Sequence, residues 1–377
     1  MFKQSQLLFA ATLLCVIVTS SHADLSLYEV PPILVAKDVL NKDLLESDLY
    51  TIENDVTTKG YTNTYRITSN YGDFTAHGKA MLEKRTHEIR AINELEKIME
   101  SEKFVKYSNK EVKKPLENSS YDDTDSEDSY LHAVHKRKLA YALNVDVYSS
   151  NEALQKYLNS VSWASHTQGF SEDIELHPSS PVRFIKTSGI LNTLIRDNPP
   201  KELRKINRKI LRTLKVKEEV INAFLENTWI SPRHQTAIVH SLEYQGLKGG
   251  VNDFIQLVST AKSEEESFFF KNITALIEQY TSNVVETDMA IVVHNNYALL
   301  QVRKHFVFPL LVDNGYWSEF GAQLINTFEA DLRNKNGADT QIVLWITGEV
   351  SARAKKELKT RKIILSEHAY MTHGENL

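Results

Sequence analysis

Two groups of residues in this sequence have types and spacings that could support chemistry. The first lies in "YDDTDSEDSYLHAVHKRKLAYAL". His132 and His135 stand three apart on an expected helix, with Asp128 one turn earlier. Side chains three apart share a helix face, so the trio could hold a divalent metal if a fourth group came from elsewhere. The simpler reading has Leu131, Val134 and either Lys138 or Leu139 marking the buried stripe, with both histidines on the surface after an acidic segment. The second group is near the C-terminus. Asp313 closes one expected strand, and Thr347-Gly348-Glu349 closes another before Ser351 caps a helix. Ligands in open α/β sheets gather at the carboxyl ends of strands, and a helix N-terminus suits an anion. Asp313 and Glu349 are therefore the candidate carboxylates of a metal-dependent hydrolase. Solvated strand-end residues are the competing and preferred reading, because strand ends commonly open into polar loops.

Other catalytic signatures are missing. There is no His-Glu-x-x-His, no Gly-x-Ser-x-Gly elbow, no Ser-x-x-Lys motif with its supporting elements, no Walker A loop and no Gly-x-Gly-x-x-Gly turn after a strand. An EF-hand count begun at Asp123 puts Asp128 at the sixth position and Val134 at the twelfth, where Gly and Glu are needed. The glycines of "QGLKGGVND" join two expected helices and read as a turn. No cofactor is expected, and a divalent metal only through the groups above.

The elements that must position these residues fall into three parts. In 24–107, Tyr61, Asn63, Tyr65 and Ile67 alternate with polar residues, Asn70-Tyr71-Gly72-Asp73 supplies a turn, and Phe74-Thr75-Ala76 returns. This hairpin leads into an amphipathic helix with Leu82, Ile89, Ile92, Leu95 and Ile98 on one face. Its charged residues are expected mostly on the other face, with His87 solvated near Glu83 and Glu88. A polar, acid-ended linker follows at 108–129. From 130 to 283 the spacing is helical throughout. Asn144 is expected as a left-handed cap, Ser149-Ser150-Asn151-Glu152 as a capping box, and Ser231-Pro232 as an N-cap followed by proline. His234 and His240, six apart on that helix, point to different sides. Several consecutive short helices imply an antiparallel array. In 284–377 the order β-β-β-α-β-α-β predicts a mixed-sheet α/β domain, with Asn295-Asn296 as a hairpin turn. The fold class is thus α+β and multidomain: hairpin plus helix, central helical array, and C-terminal α/β domain. Phe268-Phe269-Phe270 must expose one ring or bury it against a neighbouring domain.

Composition bounds the function. Lys and Arg number 44 against 49 Asp and Glu, which disfavours a broad nucleic-acid footprint and leaves a protein partner as the expectation. "MFKQSQLLFAATLLCVIVTSSHADLS" has Lys3, an apolar run from Leu7 to Val18 and the small residues Ser21 and Ala23. It reads as a secretory signal peptide over 1–23, cleaved after Ala23, because the run is too short to span a membrane. Cys15, the only cysteine, would leave with it. The mature chain would then hold no disulfide or thiolate, which suits a bacterial periplasm or secretion from it.

Three stretches, "DLYTIENDVTTKGYTNTYRITSNYGDFTA", "KRKLAYALNVDVYSSNEALQKYLN" and "SPRHQTAIVHSLE", together resemble a family of exported Gram-negative bacterial proteins. The resemblance implies export and the three-part layout, and transfers no catalytic residue. "WITGEVSARAKKELKTRKIILSE" is similar to the last strand-helix-strand of Mrr-type restriction-endonuclease domains. The Asp…Glu-x-Lys pattern of such nucleases has no counterpart on these strands. The one Glu-x-Lys there, Glu357-Leu358-Lys359, falls inside an expected helix.

Overall fold

The computed structural model describes residues 27–102, 104–105, 127–166, 188–284 and 288–369. The expected signal peptide (1–23) and most of the expected linker (108–129) lie outside them. The N-terminal hairpin belongs to a five-stranded antiparallel sheet of β1 (Leu34–Val35), β2 (Tyr50–Ile52), β3 (Asp55–Lys59), β4 (Thr62–Ser69) and β5 (Gly72–His77), with β4 at its centre. The β4–β5 register pairs Ser69 with Gly72 across Asn70-Tyr71. Asn63, Tyr65 and Ile67 are buried as their alternation requires. Two single-turn helices, α1 (Ala36–Val39) and α2 (Lys42–Leu45), join β1 to β2.

The long helix α3 (Lys79–Glu100) belongs to two cores at once. Leu82 and Ile89 pack with the sheet residues Tyr65 and Ile67. Ala91, Ile92 and Leu95 pack with Leu139, Leu154 and Ile195, which come from α4 (Glu127–Ala142), α5 (Glu152–His166) and α6 (Ser188–Asp197). Asn144 has φ +55, the left-handed conformation expected of it. The cap of α5 is Asn151, whose Oδ1 accepts from Leu154 N, and not the serines of the proposed capping box.

Five helices follow: α7 (Pro200–Thr213), α8 (Glu218–Glu226), α9 (Pro232–Tyr244), α10 (Val251–Val258) and α11 (Glu264–Asn283). Ser231 Oγ accepts from His234 N, so the Ser-Pro start of α9 forms as its sequence requires. Phe224, Ile238, Phe254 and Leu276 share one core with Ile291, Leu300 and Val307 of the last sheet. That sheet contains β6 (Met289–His294), β7 (Tyr297–Val302), β8 (His305–Leu310), β10 (Gln341–Ile346) and β12 (Ile363–Ser366) in the order β12-β10-β8-β7-β6. β9 (Asn314–Gly315) and β11 (Glu349–Val350) make a small parallel pair beyond its strand ends. β8, β10 and β12 are parallel, joined through α12 (Glu319–Asn336) and α13 (Ala352–Thr360), as parallel pairing demands. Asn295 and Asn296 have φ +47 and +63, the pair of positive values a two-residue type I′ hairpin needs.

The glycine run between α9 and α10 is more than a turn. Lys248 N donates to Met289 O and Ile291 N donates to Gly249 O, so the run covers the open edge of β6. A Cβ on Gly250 would lie 1.7 Å from Ile291 O, and its φ is +81. Only glycine permits that approach. The phenylalanine run is divided between cores: Phe269 and Phe270 pack with the helices and last sheet, and Phe268 reaches the N-terminal unit. Hydrophobic packing therefore runs across the composition changes near 107 and 283.

Candidate functional site

Asp313 lies three residues beyond the end of β8, and it is half-buried. Oδ1 accepts from Lys79 N at 3.0 Å and Oδ2 from Asn63 N at 2.8 Å. Helix α3 begins after Gly78, which has no capping side chain, so Asp313 caps it from 234 residues away. Burial pushes its carboxyl up, and the two amides and the Lys79 charge pull it back. Next to it, Asn63 Nδ2 donates to Asn314 Oδ1 at 2.8 Å. These bonds fasten the first sheet to the last. Glu349 is exposed, and its backbone N donates to Asp313 O. The helix N-terminus at Ser351, expected to suit an anion, is met by the chain's own Glu29. Its Oε2 accepts from Ser351 Oγ at 2.5 Å and from Trp317 N at 2.6 Å. Asp313→Ala should lower stability by about 1–3 kcal/mol, the penalty for orphaning buried donors, in a urea titration. Asp313→Asn, which keeps an acceptor, should recover part of that loss. No loss in either variant would remove the capping role.

His132 is buried, not on the surface, with 8% of its area exposed. Its ring stacks on Trp163, with centroids 4.2 Å apart and 14° between planes. The described buried residues of α4 are His132, Arg137, Leu139 and Ala140; Leu139 is on the expected stripe, while Leu131 and Val134 are half-buried, as is His135. The side chain of Asp128 lies outside the described residues. Among those described, no three His, Cys, Asp or Glu side chains are grouped to hold a metal. Lys359 and Glu357 lie within α13, as expected.

A buried set of ionisable groups sits elsewhere among the described residues, where α3, the 146–151 loop, α9 and α11 meet. Helix spacing sets its base: Lys84 and Arg85 precede Glu88 by four and three residues on α3. Glu88 is 1% exposed. Its Oε1 accepts from Lys84 Nζ at 2.5 Å and Ser149 Oγ at 2.6 Å. Its Oε2 accepts from Arg85 at 2.8 Å and Asn151 Nδ2 at 3.1 Å. Glu264, first residue of α11, accepts from the same two cations at 3.0 and 2.7 Å and from Ser150 Oγ. Two carboxylates and two cations thus close a ring of ion pairs. Burial alone would raise both carboxyls, but the Lys84 and Arg85 charges hold them below the ordinary range.

Beside this ring, His234 Nδ1 is 2.7 Å from Ser267 Oγ, and His234 Nε2 is 3.8 Å from Asp146 Oδ2. Serine, histidine and aspartate are the residue types of an acyl-transfer triad. However, Ser267 is 0% exposed, and 3.8 Å is too long for the histidine–aspartate hydrogen bond. The arrangement is a packed polar core. The expected polar face of α3 is therefore corrected: Arg85, His87 and Glu88 are all buried, and His87 Nε2 meets Leu143 O at 3.0 Å. Their partners outside α3 lie 56 to 179 residues away, beyond the reach of any periodicity.

Helix α7 carries a strongly charged surface, and the row Lys355, Lys356, Lys359 and Lys362 on and after α13 is a second one. Helix α7 buries Leu203, Asn207, Ile210 and Leu211 and turns Lys201, Lys205, Lys209 and Arg212 outward, with Arg204 and Arg208 at the margin. Lys205, Arg208, Lys209, Arg212 and Thr213 line a shallow open depression on it. Glu202 pairs with Lys205 at 2.6 Å, and Glu218 with Arg212 at 3.0 Å and Arg208. Between 201 and 219 the sequence holds eight Lys or Arg against three Glu. The near-balanced total hides this, and a windowed charge count would have found it. No family model, curated protein or solved structure matches this chain.

Proposed function

We propose that this chain is exported by its first 23 residues and acts as a non-catalytic protein that works by binding, with the basic ridge of α7 as its contact surface. The observation that carries this reading is the ridge itself: an outward cationic row on a helix whose apolar face is already buried. The carboxylates of the alternative, a metal-dependent hydrolase or nuclease-like enzyme, lend it no support, since Asp313 is occupied by two backbone amides. Periplasmic or extracellular fractions should contain a chain starting at Asp24 by N-terminal sequencing. A photo-cross-linker placed at Lys209 should form adducts in cells, and one placed at the exposed Lys356 should not. Retention in the cytosol, or equal labelling from both positions, would overturn the reading.

A further inference from the structure

We infer that the ridge of α7 docks on the anionic headgroups of a phospholipid membrane, so that the protein sits peripherally on the bilayer. This rests on the reading of the chain as a binding protein. It follows from what the ridge has and what it lacks. Lysines dominate its exposed row: Lys201, Lys205 and Lys209 recur every four residues, and Lys215 and Lys217 continue beyond the helix end. Four-residue spacing keeps them on one face of a helix about 21 Å long.

Protein–protein interfaces are centred on aromatic and apolar anchors and are depleted in lysine. Between Ile190 and Trp229 no described large apolar side chain is exposed. A hydrated, lysine-rich, apolar-free row matches a diffuse layer of phosphates instead, as polybasic segments do. The apolar side of α7 is committed to the protein core through Leu203, Ile210 and Leu211. The helix therefore cannot roll into the acyl region as an interfacial amphipathic helix would, and attachment is electrostatic and superficial. The chain as a whole carries −5, so the ridge is a local excess of positive charge on a net acidic molecule, and an anionic surface attracts that part of it.

The full chain should co-sediment with vesicles of phosphatidylcholine and phosphatidylglycerol in equal parts, and not with phosphatidylcholine alone. Each cation near an anionic bilayer is worth roughly fivefold in partitioning, so Lys205→Glu with Lys209→Glu should weaken binding by at least about tenfold. Both lysines are exposed, so the fold is kept, which circular dichroism checks. Lys335→Glu with Lys356→Glu makes the same charge change on other helices and should bind as the unmodified chain does. Molar salt, which shortens screening to about 3 Å, should release it. Failure to bind the anionic vesicles, or equal weakening in both variants, overturns the lipid assignment. Stronger binding to polyglutamate or to a nucleic-acid duplex than to vesicles also overturns it, while leaving the ridge as a contact surface. Loss of the Lys209 cross-link as well would remove both.

Discussion

Glu88→Ala should destabilise the protein by about 3–5 kcal/mol, the penalty for leaving buried charges without their partner. The residue is 1% exposed and accepts four side-chain hydrogen bonds, two from its own helix and two from the 146–151 loop. Its removal leaves Lys84 and Arg85, both largely desolvated, with Glu264 alone. It also leaves Ser149 and Asn151 without the acceptor that holds the 146–151 loop against α3. Glu88→Gln keeps the shape but not the charge and should recover only part of the loss. Glu94 lies on the same helix and pairs with Lys97 at 2.8 Å on the surface, so Glu94→Ala should change stability by less than about 1 kcal/mol. Urea titrations with unchanged slope would make the comparison. Equal small losses for Glu88→Ala and Glu94→Ala would mean that water reaches the ring and that it does not join the parts.

Acid should weaken the same junction before it protonates any carboxylate of the ring. Burial, assisted by the charges of Lys271, Lys84 and Arg233 and opposed by Glu264, pushes His234 down to about 3. The unfolded chain takes up that proton near pH 6.5. Between the two values the unfolded state binds more protons, so stability is intact above pH 6.5 and declines as pH falls towards 3. The slope for one proton is about 1.4 kcal/mol per pH unit, which gives about 2 kcal/mol at pH 5. Asp146, whose carboxyl is pushed up by burial against the pull of Arg233 and Lys84, acts in the opposite sense and softens the acid limb. Its contribution is present in acid and lost as pH rises through its raised value. Glu88 and Glu264, both held low, add further loss below the ordinary carboxylate range. His234→Gln should flatten the stability profile between pH 7.5 and 5 whatever its effect at pH 7.5. An unchanged slope in that variant would assign the acid limb to another group.

Local chemistry made much of the architecture legible. Alternation placed Asn63, Tyr65 and Ile67 inward because strand side chains alternate between faces. Ser231-Pro232 started α9, and Asn295-Asn296 turned β6 into β7, because cap and turn conformations depend on residues within a few positions. The same reasoning put the charged residues of α3 and the histidines of α4 towards water, since polarity was the only cue available. It had no means of knowing that Glu264 would bring a second carboxylate to Lys84 and Arg85, or that Trp163 would stack on His132.

The sequence by itself determined the elements, their order and the α+β class, since each rests on periods, caps and turns spanning a few residues. It also contained the cationic row of α7, although the near-balanced whole-chain charge concealed it. Only the tertiary structure decided what the polar groups do. Asp313, read as a candidate catalytic carboxylate, became the cap of a helix begun at Lys79. Glu29 filled the anion position at Ser351, and Glu88 became the buried centre of a junction. A polar side chain's role depends on which donors and charges surround it after folding. Here those partners come from segments as much as 326 residues apart.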